Sequence, residues 1–324
     1  MKKTLVAICA VLCWGLAAAP VRAAEPAATP EVQRAETLID GGKNAEAIEL
    51  LNTYIAAHPR DQRALADRGD ANYNLKKRED AIADYSAAIT IDPTYTYAYT
   101  SRCQTYYDLD KDDLALPDCS KAIEIDAESS YAYRTRALVY LDLNKVDEAI
   151  ADSDKAVKYG DGNAANWADA CNVQYVAKHY ETASKDCAQA LEIDPRSYPA
   201  RLFTGRLELR NEDWFAADGT FTKLIADFGE NTLAHYYRGI ARYHLKRNED
   251  AIADMTVYIN SHTDDGDGYY LRAMMEEQAG NFASAKDDAT TALKRYKIAG
   301  DDEGITDVQD LLTELDAESG HRTR

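Results

Sequence analysis

The sequence predicts an all-α chain in which eight helix-turn-helix units of 34 residues stack as an α-solenoid, closed by one further helix. Three evenly spaced sets of residues predict it. Ala47, Ala81, Ala115, Ala149, Ala183, Ala217, Ala251 and Ala285 stand 34 residues apart with no gap or slip. The register of Gly69 is small throughout: Ala35, Gly69, Cys103, Ala137, Cys171, Gly205, Gly239 and Ala273. The register of Ile89 is branched and apolar throughout: Ile55, Ile89, Ile123, Val157, Leu191, Ile225, Ile259 and Leu293. A fixed period of this length is the signature of stacked helix pairs. Small residues let two helix backbones approach, and branched ones fill the seam between units. Length alone suggests about two domains, but a solenoid grows by stacking around one quasi-linear core.

The elements follow in order. Residues 24–30 (AEPAATP) read as a flexible lead-in, and helix begins near Glu31, just after Pro30. The solenoid is expected over 31–297. Each unit supplies a first helix of about 14 residues, a short polar turn and a second helix. In the fourth unit these are Tyr131 to Leu143 and Asp147 to Tyr159, with Asn144 and Lys145 between. Leu75, Leu109, Leu143 and Leu245 close first helices, and Gly42, Asn144 and Gly280 mark turns. Pro117 stands early in a second helix, where it delays the start or bends the axis. Beyond Tyr296 the period stops. Ile305, Val308, Leu311, Leu312 and Leu315 form one apolar stripe at helical spacing, the mark of a capping helix within 298–324. Residues from Ala317 onward read as a disordered tail.

Charge and the N-terminus bear on compartment. The formal charge is -19. Lys2, Lys3 and Arg22 are the charged residues of positions 1–23, so the remainder carries -22. Nucleic acid requires a basic face and is not an expected partner. Residues 1–23 have the chemistry of a secretory signal: a basic start, an apolar stretch from Thr4 to Leu16, and a cleavage site after Ala23. Leu5 to Ala19 is shorter than the roughly 20 apolar residues of a membrane anchor, so no stable membrane insertion is expected after cleavage. Leu12 before Cys13 and Ile8 before Cys9 do not suit a lipid-modified cysteine. The expected location is a bacterial periplasm or the secreted fraction.

The units resemble the tetratricopeptide repeat, whose pattern is W-x2-L-G-x2-Y, then A-x3-F, then P. The second unit reads Leu65-x2-Arg68-Gly69, Ala81-x3-Tyr85 and Pro93. The third reads Tyr99-x2-Arg102-Cys103-x2-Tyr106 and Ala115-x3-Cys119. The fifth supplies Trp167, Ala183-x3-Cys187 and Pro195. The resemblance covers roughly residues 28–297. Arginine often replaces the leucine, and four units lack the closing proline. The resemblance implies a right-handed superhelix with first helices on its concave side.

Two pairings recur at a spacing of sixteen. Cys103 with Cys119, and Cys171 with Cys187, occupy registers that mirror each other about the turn of a hairpin. They replace the small and aromatic residues that close the hairpin in the repeat pattern. In an oxidising compartment two disulfides are expected, each worth about 3 kcal/mol on a chain-entropy model. Free packed thiols are the alternative; a four-cysteine zinc site fails, because two repeats separate the pairs. Arg68 and Asp84, Arg102 and Asp118, Arg136 and Asp152, Arg238 and Asp254, and Arg272 and Asp288 share the same spacing. The sixth unit has Thr204 and Thr220 instead, so the arginine and aspartate are expected to meet across the hairpin.

No catalytic constellation stands out. The six histidines form no zinc-protease motif and none stand four apart. Gly160-x-Gly162 follows a helix instead of a strand, unlike a dinucleotide fingerprint. Thr263 and Met274 occupy positions where a calcium loop needs acids, which leaves at most a loose contact at Asp264 to Asp267. No cofactor, metal or catalytic residue is expected. The expected function is a non-enzymatic scaffold of the cell envelope that binds a peptide or protein in its concave groove; a self-associating solenoid, and third a cryptic hydrolase or accessory subunit of an envelope enzyme, are the alternatives.

The first helices then carry the working surface. Their inward registers are those of Tyr97, Thr100, Gln104 and Tyr107, which elsewhere give Tyr73, Tyr131, Arg134, Tyr175, Phe203, Arg206, Arg210, Tyr236, Tyr243 and Tyr270. Tyrosine and arginine dominate binding hot spots because each joins a packing face to a hydrogen-bonding tip. The alternative is that these tyrosines fill space between units. Ala168 beside Asn172 departs from the lysine and asparagine set by which related co-chaperones clamp a terminal carboxylate. An extended or helical segment lying along aromatic contacts is expected instead.

Overall fold

The computed structural model describes residues 28–229 and 232–322. The expected signal sequence and residues 24–27 of the lead-in lie outside the described residues. Among the described residues the regular structure is helical, with no strand. The chain divides into two compact units, with the boundary in the sequence between Pro195 and Arg196.

Residues 28–195 form five antiparallel helix pairs. They are α1 (Pro30–Asp40) with α2 (Asn44–Ala57), α3 (Gln62–Asn74) with α4 (Arg78–Ile91), α5 (Thr96–Tyr107) with α6 (Asp112–Ile125), α7 (Ser130–Asp142) with α8 (Val146–Tyr159), and α9 (Ala164–Val176) with α10 (Tyr180–Ile193). Residues 196–322 form three more: α11 (Tyr198–Arg210) with α12 (Trp214–Phe228), α13 (Thr232–His244) with α14 (Asn248–Ser261), and α15 (Gly266–Ala279) with α16 (Phe282–Ala299). The closing helix α17 (Asp302–Arg322) packs on α15 and α16. It buries Val308, Leu311 and Leu315 against Ala285, Ala289, Ala292 and Tyr296. It continues to Arg322, so the disordered tail expected from Ala317 is helical that far. Pro30 takes the first turn of α1, capped by the Thr29 hydroxyl, which accepts from the Val32 N–H.

Each pair is closed at the level the spacing predicts. All eight alanines of the Ala81 register are wholly buried. The small register faces the residue sixteen positions on. A Cβ added at Gly69 would lie 2.6 Å from the Tyr85 ring, and one at Gly205 would lie 2.5 Å from the Phe221 ring. Glycine is therefore the space that the facing aromatic ring fills. In the third and fifth pairs this contact is covalent: Cys103–Cys119 and Cys171–Cys187 are disulfides, with Cα atoms 5.5 and 5.2 Å apart. Within each unit the seam between pairs is tightest one residue before the Ile89 register, where Ala88, Ala122, Ala156, Leu224, Tyr258 and Ala292 are buried. Most of the Ile89 register is only half-buried. Pro117 lies within a continuous α6, which starts in the same register as its neighbours; the expected delay does not occur.

The turns share one backbone device. Gly42, Lys76, Asp110, Asn144, Lys178, Glu212, Lys246 and Gly280, again 34 apart, all have φ between 54° and 84°. This left-handed residue reverses the chain between the two helices.

The arginine and aspartate pairs form as predicted. Arg102 donates from Nε and Nη2 to Asp118 at 2.6 and 2.7 Å, and Arg68, Arg136, Arg238 and Arg272 engage their aspartates in the same way. The remaining Nη1 reaches back sixteen residues to the preceding second helix. From Arg68, Arg102, Arg136, Arg238 and Arg272 in turn it donates to Asn52, Ser86, Ser120, Thr222 and Thr256. Each guanidinium thus ties its own hairpin and staples it to the one before.

Candidate partner-binding face

Within each compact unit, successive first helices also touch one another: α1 with α3, α3 with α5, α5 with α7 and α7 with α9; then α11 with α13, α13 with α15 and α15 with α17. The predicted tyrosine registers fall on this layer.

In residues 28–195 the tyrosines are bound into a polar ladder that crosses from pair to pair. The Tyr73 hydroxyl donates to Asp108 Oδ2 at 2.5 Å. Arg78 stacks its guanidinium carbon 3.8 Å from the Tyr73 ring, donates to the Tyr73 carbonyl, and brings Nη2 within 3.4 Å of Asp108. Gln104 donates to the same carboxylate and accepts from Thr135. Tyr97 and Tyr85 both donate to Asp70. Arg134 lies under the Tyr131 ring at 4.6 Å, with Nε 3.5 Å from Asp169. Burial pushes the Tyr131 hydroxyl up to about 12, against the pull of Arg134. Tyr175 meets the edge of Tyr180 at 5.6 Å.

In residues 196–322 Arg206 lies over Phe203 and Tyr237, and Tyr236 packs on Tyr237 and Tyr258. Tyr243 meets His244 edge-on. Tyr270 is half-buried, and its hydroxyl is raised by burial and by Asp307.

The predicted residues therefore divide. Tyr97, Thr100, Arg134, Phe203 and Arg206 are buried and build the floor of the layer. Tyr73, Tyr107, Tyr131, Tyr175, Tyr236, Tyr243 and Tyr270 are half-buried and keep an accessible edge; Arg210 is exposed. Sequence reasoning missed the acids that lie among them. Burial raises Asp169, and desolvation with the Asp112 and Asp110 charges pushes Asp142, at the exposed end of α7, up to about 6. Asp108 and Asp142 stand one period apart, which was the available signal. Half-buried tyrosines interleaved with partly exposed carboxylates suit a segment that carries hydrogen-bond donors or positive charge.

The loose acidic loop is engaged internally. Asp265 caps α15 by accepting from the Asp267 N–H and also accepts from the Tyr258 hydroxyl; Asp267 accepts from Tyr296. Among the described residues, no three histidine, cysteine, aspartate or glutamate side chains are grouped to hold a metal. No described helix is long and apolar enough to cross a membrane.

The sequence model of the tetratricopeptide repeat matches residues 32–96 and 202–269. No curated protein gives a significant match. Among solved structures, the APC/C hetero-tetramer Cut9-Hcn1 is 14% identical with a TM-score of 0.72, covering 88% of this chain and 55% of that one. This chain thus spans little more than half of that protein's length. The human IFIT1 dimer with m7Gppp-AAAA is 14% identical with a TM-score of 0.58, covering 82% and 71%. TTC0263, a thermophilic protein of this repeat class from Thermus thermophilus, is 19% identical with a TM-score of 0.50, covering 55% and 97%. At these identities the likeness is one of fold. The chain has the tetratricopeptide-repeat fold, and two stretches of it carry that repeat's sequence pattern as well.

Proposed function

We propose that this protein is an exported, non-enzymatic scaffold of the cell envelope that holds a polypeptide segment along its first-helix layer. The observation that carries the reading is the row of half-buried tyrosines, Tyr73, Tyr107, Tyr131 and Tyr175, interleaved with the partly buried carboxylates Asp108 and Asp169. Such rings offer a large rigid contact area at small entropic cost, and their hydroxyls pair with a passing backbone. Hairpins of the same fold serve in a solved hetero-tetramer, Cut9-Hcn1. Export is supported by the basic-apolar-small order of residues 1–23 and by two disulfides, which persist in oxidising compartments.

The test begins with capture from a periplasmic extract on the tagged protein, with mass spectrometry of what is bound and of the protein's own N-terminus. Ala24 should be its first residue. The variant Tyr107→Ala with Tyr131→Ala should then bind the identified partner at least about tenfold more weakly, with an unchanged helical CD signal. Unaltered affinity in that variant, with loss on changing second-helix surface residues, contradicts the assignment. Capture of the chain itself, with dimers by light scattering, replaces it with self-association.

A further inference from the structure

The guanidinium staple occurs in five hairpins, and the α9–α10 hairpin departs from it in a specific way. Ala170 stands in the arginine register. Both positions that would receive the guanidinium are acidic: Asp186, sixteen residues on, and Asp154, sixteen residues back. In the other hairpins the backward position is Asn52, Ser86, Ser120, Thr222 or Thr256, each a neutral acceptor.

The frame around this position is the same as in the α5–α6 hairpin. There Arg102 and Asp118 adjoin the disulfide Cys103–Cys119; here Ala170 and Asp186 adjoin Cys171–Cys187. Asp186 is 9% exposed and has no hydrogen bond or ion pair with any described residue. Burial and the Asp154 charge together push its carboxyl up to about 6. Trp167, three residues before Ala170, holds the register of Tyr99 and Tyr133. Those rings lie 5.9 and 5.7 Å from the guanidinium carbons of Arg102 and Arg136. The indole N–H donates to the Asp161 carbonyl at 2.7 Å, which fixes the plane of the ring.

We propose that Asp186, Asp154 and Trp167 form a binding site for a guanidinium group that comes from outside the chain. A buried carboxylate without a partner is costly and seeks a cation. The hairpin frame holds Asp186 in the register from which the sister hairpins offer both carboxylate oxygens to a planar bidentate donor. A flat indole beside it favours guanidinium over ammonium. Two carboxylates are too few for calcium, which takes six to eight oxygens. The group belongs either to an arginine side chain of a bound polypeptide or to a free guanidinium compound. The site lies outside the tyrosine registers, so its failure leaves the partner-binding reading untouched.

Ethylguanidinium is the fragment by which arginine exceeds alanine, and it is the probe. The mature protein, labelled with 15N-tryptophan, is titrated at pH 7, and the Trp167 indole signal is followed with Trp214 as internal control. A saturable shift at Trp167, roughly millimolar, is expected, with ethylammonium at least about tenfold weaker. The shift should vanish in Ala170→Arg, whose own side chain fills the site, and in Asp186→Asn, both checked for fold by CD. A blocked Gly-Arg-Gly peptide that binds as well as the probe assigns the site to a polypeptide arginine. Exclusion of that peptide while free L-arginine binds assigns it to a small guanidinium compound. No saturable shift, equal shifts with ethylammonium, or a shift that survives in Ala170→Arg overturns the proposal.

Discussion

Gly205 and Gly239 occupy the same register, yet their surroundings set opposite expectations. At Gly205 a methyl group would lie 2.5 Å from the Phe221 ring, inside a closed hairpin. Gly205→Ala should therefore destabilise by about 1–3 kcal/mol through overpacking. At Gly239 the nearest atoms are the Ala251 carbonyl at 3.4 Å, Asp254 Cβ at 3.5 Å and Met255 at 3.6 Å, ordinary contacts that a methyl can join. Gly239→Ala should stabilise by about 0.5–1 kcal/mol, the helix preference of alanine over glycine. Urea denaturation of the two variants checks both signs. Asp186 sets a pH dependence. Its folded carboxyl keeps a proton up to about 6, whereas an unfolded aspartate releases it near about 3.9. Between those values the folded state binds more protons, so this residue's contribution to stability grows as pH falls from 7 to 4. Asp186→Asn should raise stability at pH 7 by about 2 kcal/mol, and that advantage should shrink to nothing near pH 4. An equal advantage at both pH values contradicts the buried, unpaired state of Asp186.

At the scale of the element, the hairpin was legible because its closing contacts repeat in place. The alanine register, the small register, the cysteine pairs and the arginine–aspartate pairs each name two positions sixteen apart or one position per period, and the structure brings those atoms together. The turn was only partly legible. Gly42, Asn144 and Gly280 announce a left-handed residue, but Lys76, Asp110, Lys178, Glu212 and Lys246 adopt the same φ without any such signal. There the spacing of the neighbouring turns, and not the residue type, carried the information. A left-handed conformation costs a residue with a Cβ about 1–2 kcal/mol that glycine avoids. Lys178→Gly and Glu212→Gly should each stabilise by about 1 kcal/mol, read as a rise in the urea midpoint with an unchanged slope. A fall in the midpoint would mean that the side chain, not the backbone, holds the turn. The backward reach of each arginine was also hidden. A sequence pair at plus sixteen is visible as a charge complement, while a neutral serine or threonine at minus sixteen looks like any polar surface residue.

Across the molecule, the acidic balance and the placement of tyrosine set what the surface can hold. The predicted working face was legible as a set of registers but not as a set of exposures. Tyr97 and Tyr107 stand in equivalent inward positions of one helix by sequence, yet Tyr97 is buried on Asp70 while Tyr107 keeps an accessible edge. Tyr97 is buried in a cluster with Leu65, Tyr85 and Ala88 of the preceding hairpin, which no pattern within one hairpin contains. The partly buried carboxylates among these rings, Asp70, Asp108 and Asp169, give the face a sign, so binding there should weaken with ionic strength. Site-specific photo-crosslinking in the periplasm tests the central claim most directly, with benzoylphenylalanine placed at Tyr107 on the first-helix layer or at Ala151, exposed on α8. A discrete polypeptide adduct at position 107, absent at position 151 and lost in the presence of Tyr131→Ala, is the predicted result. Adducts at position 151 with none at 107 would contradict it.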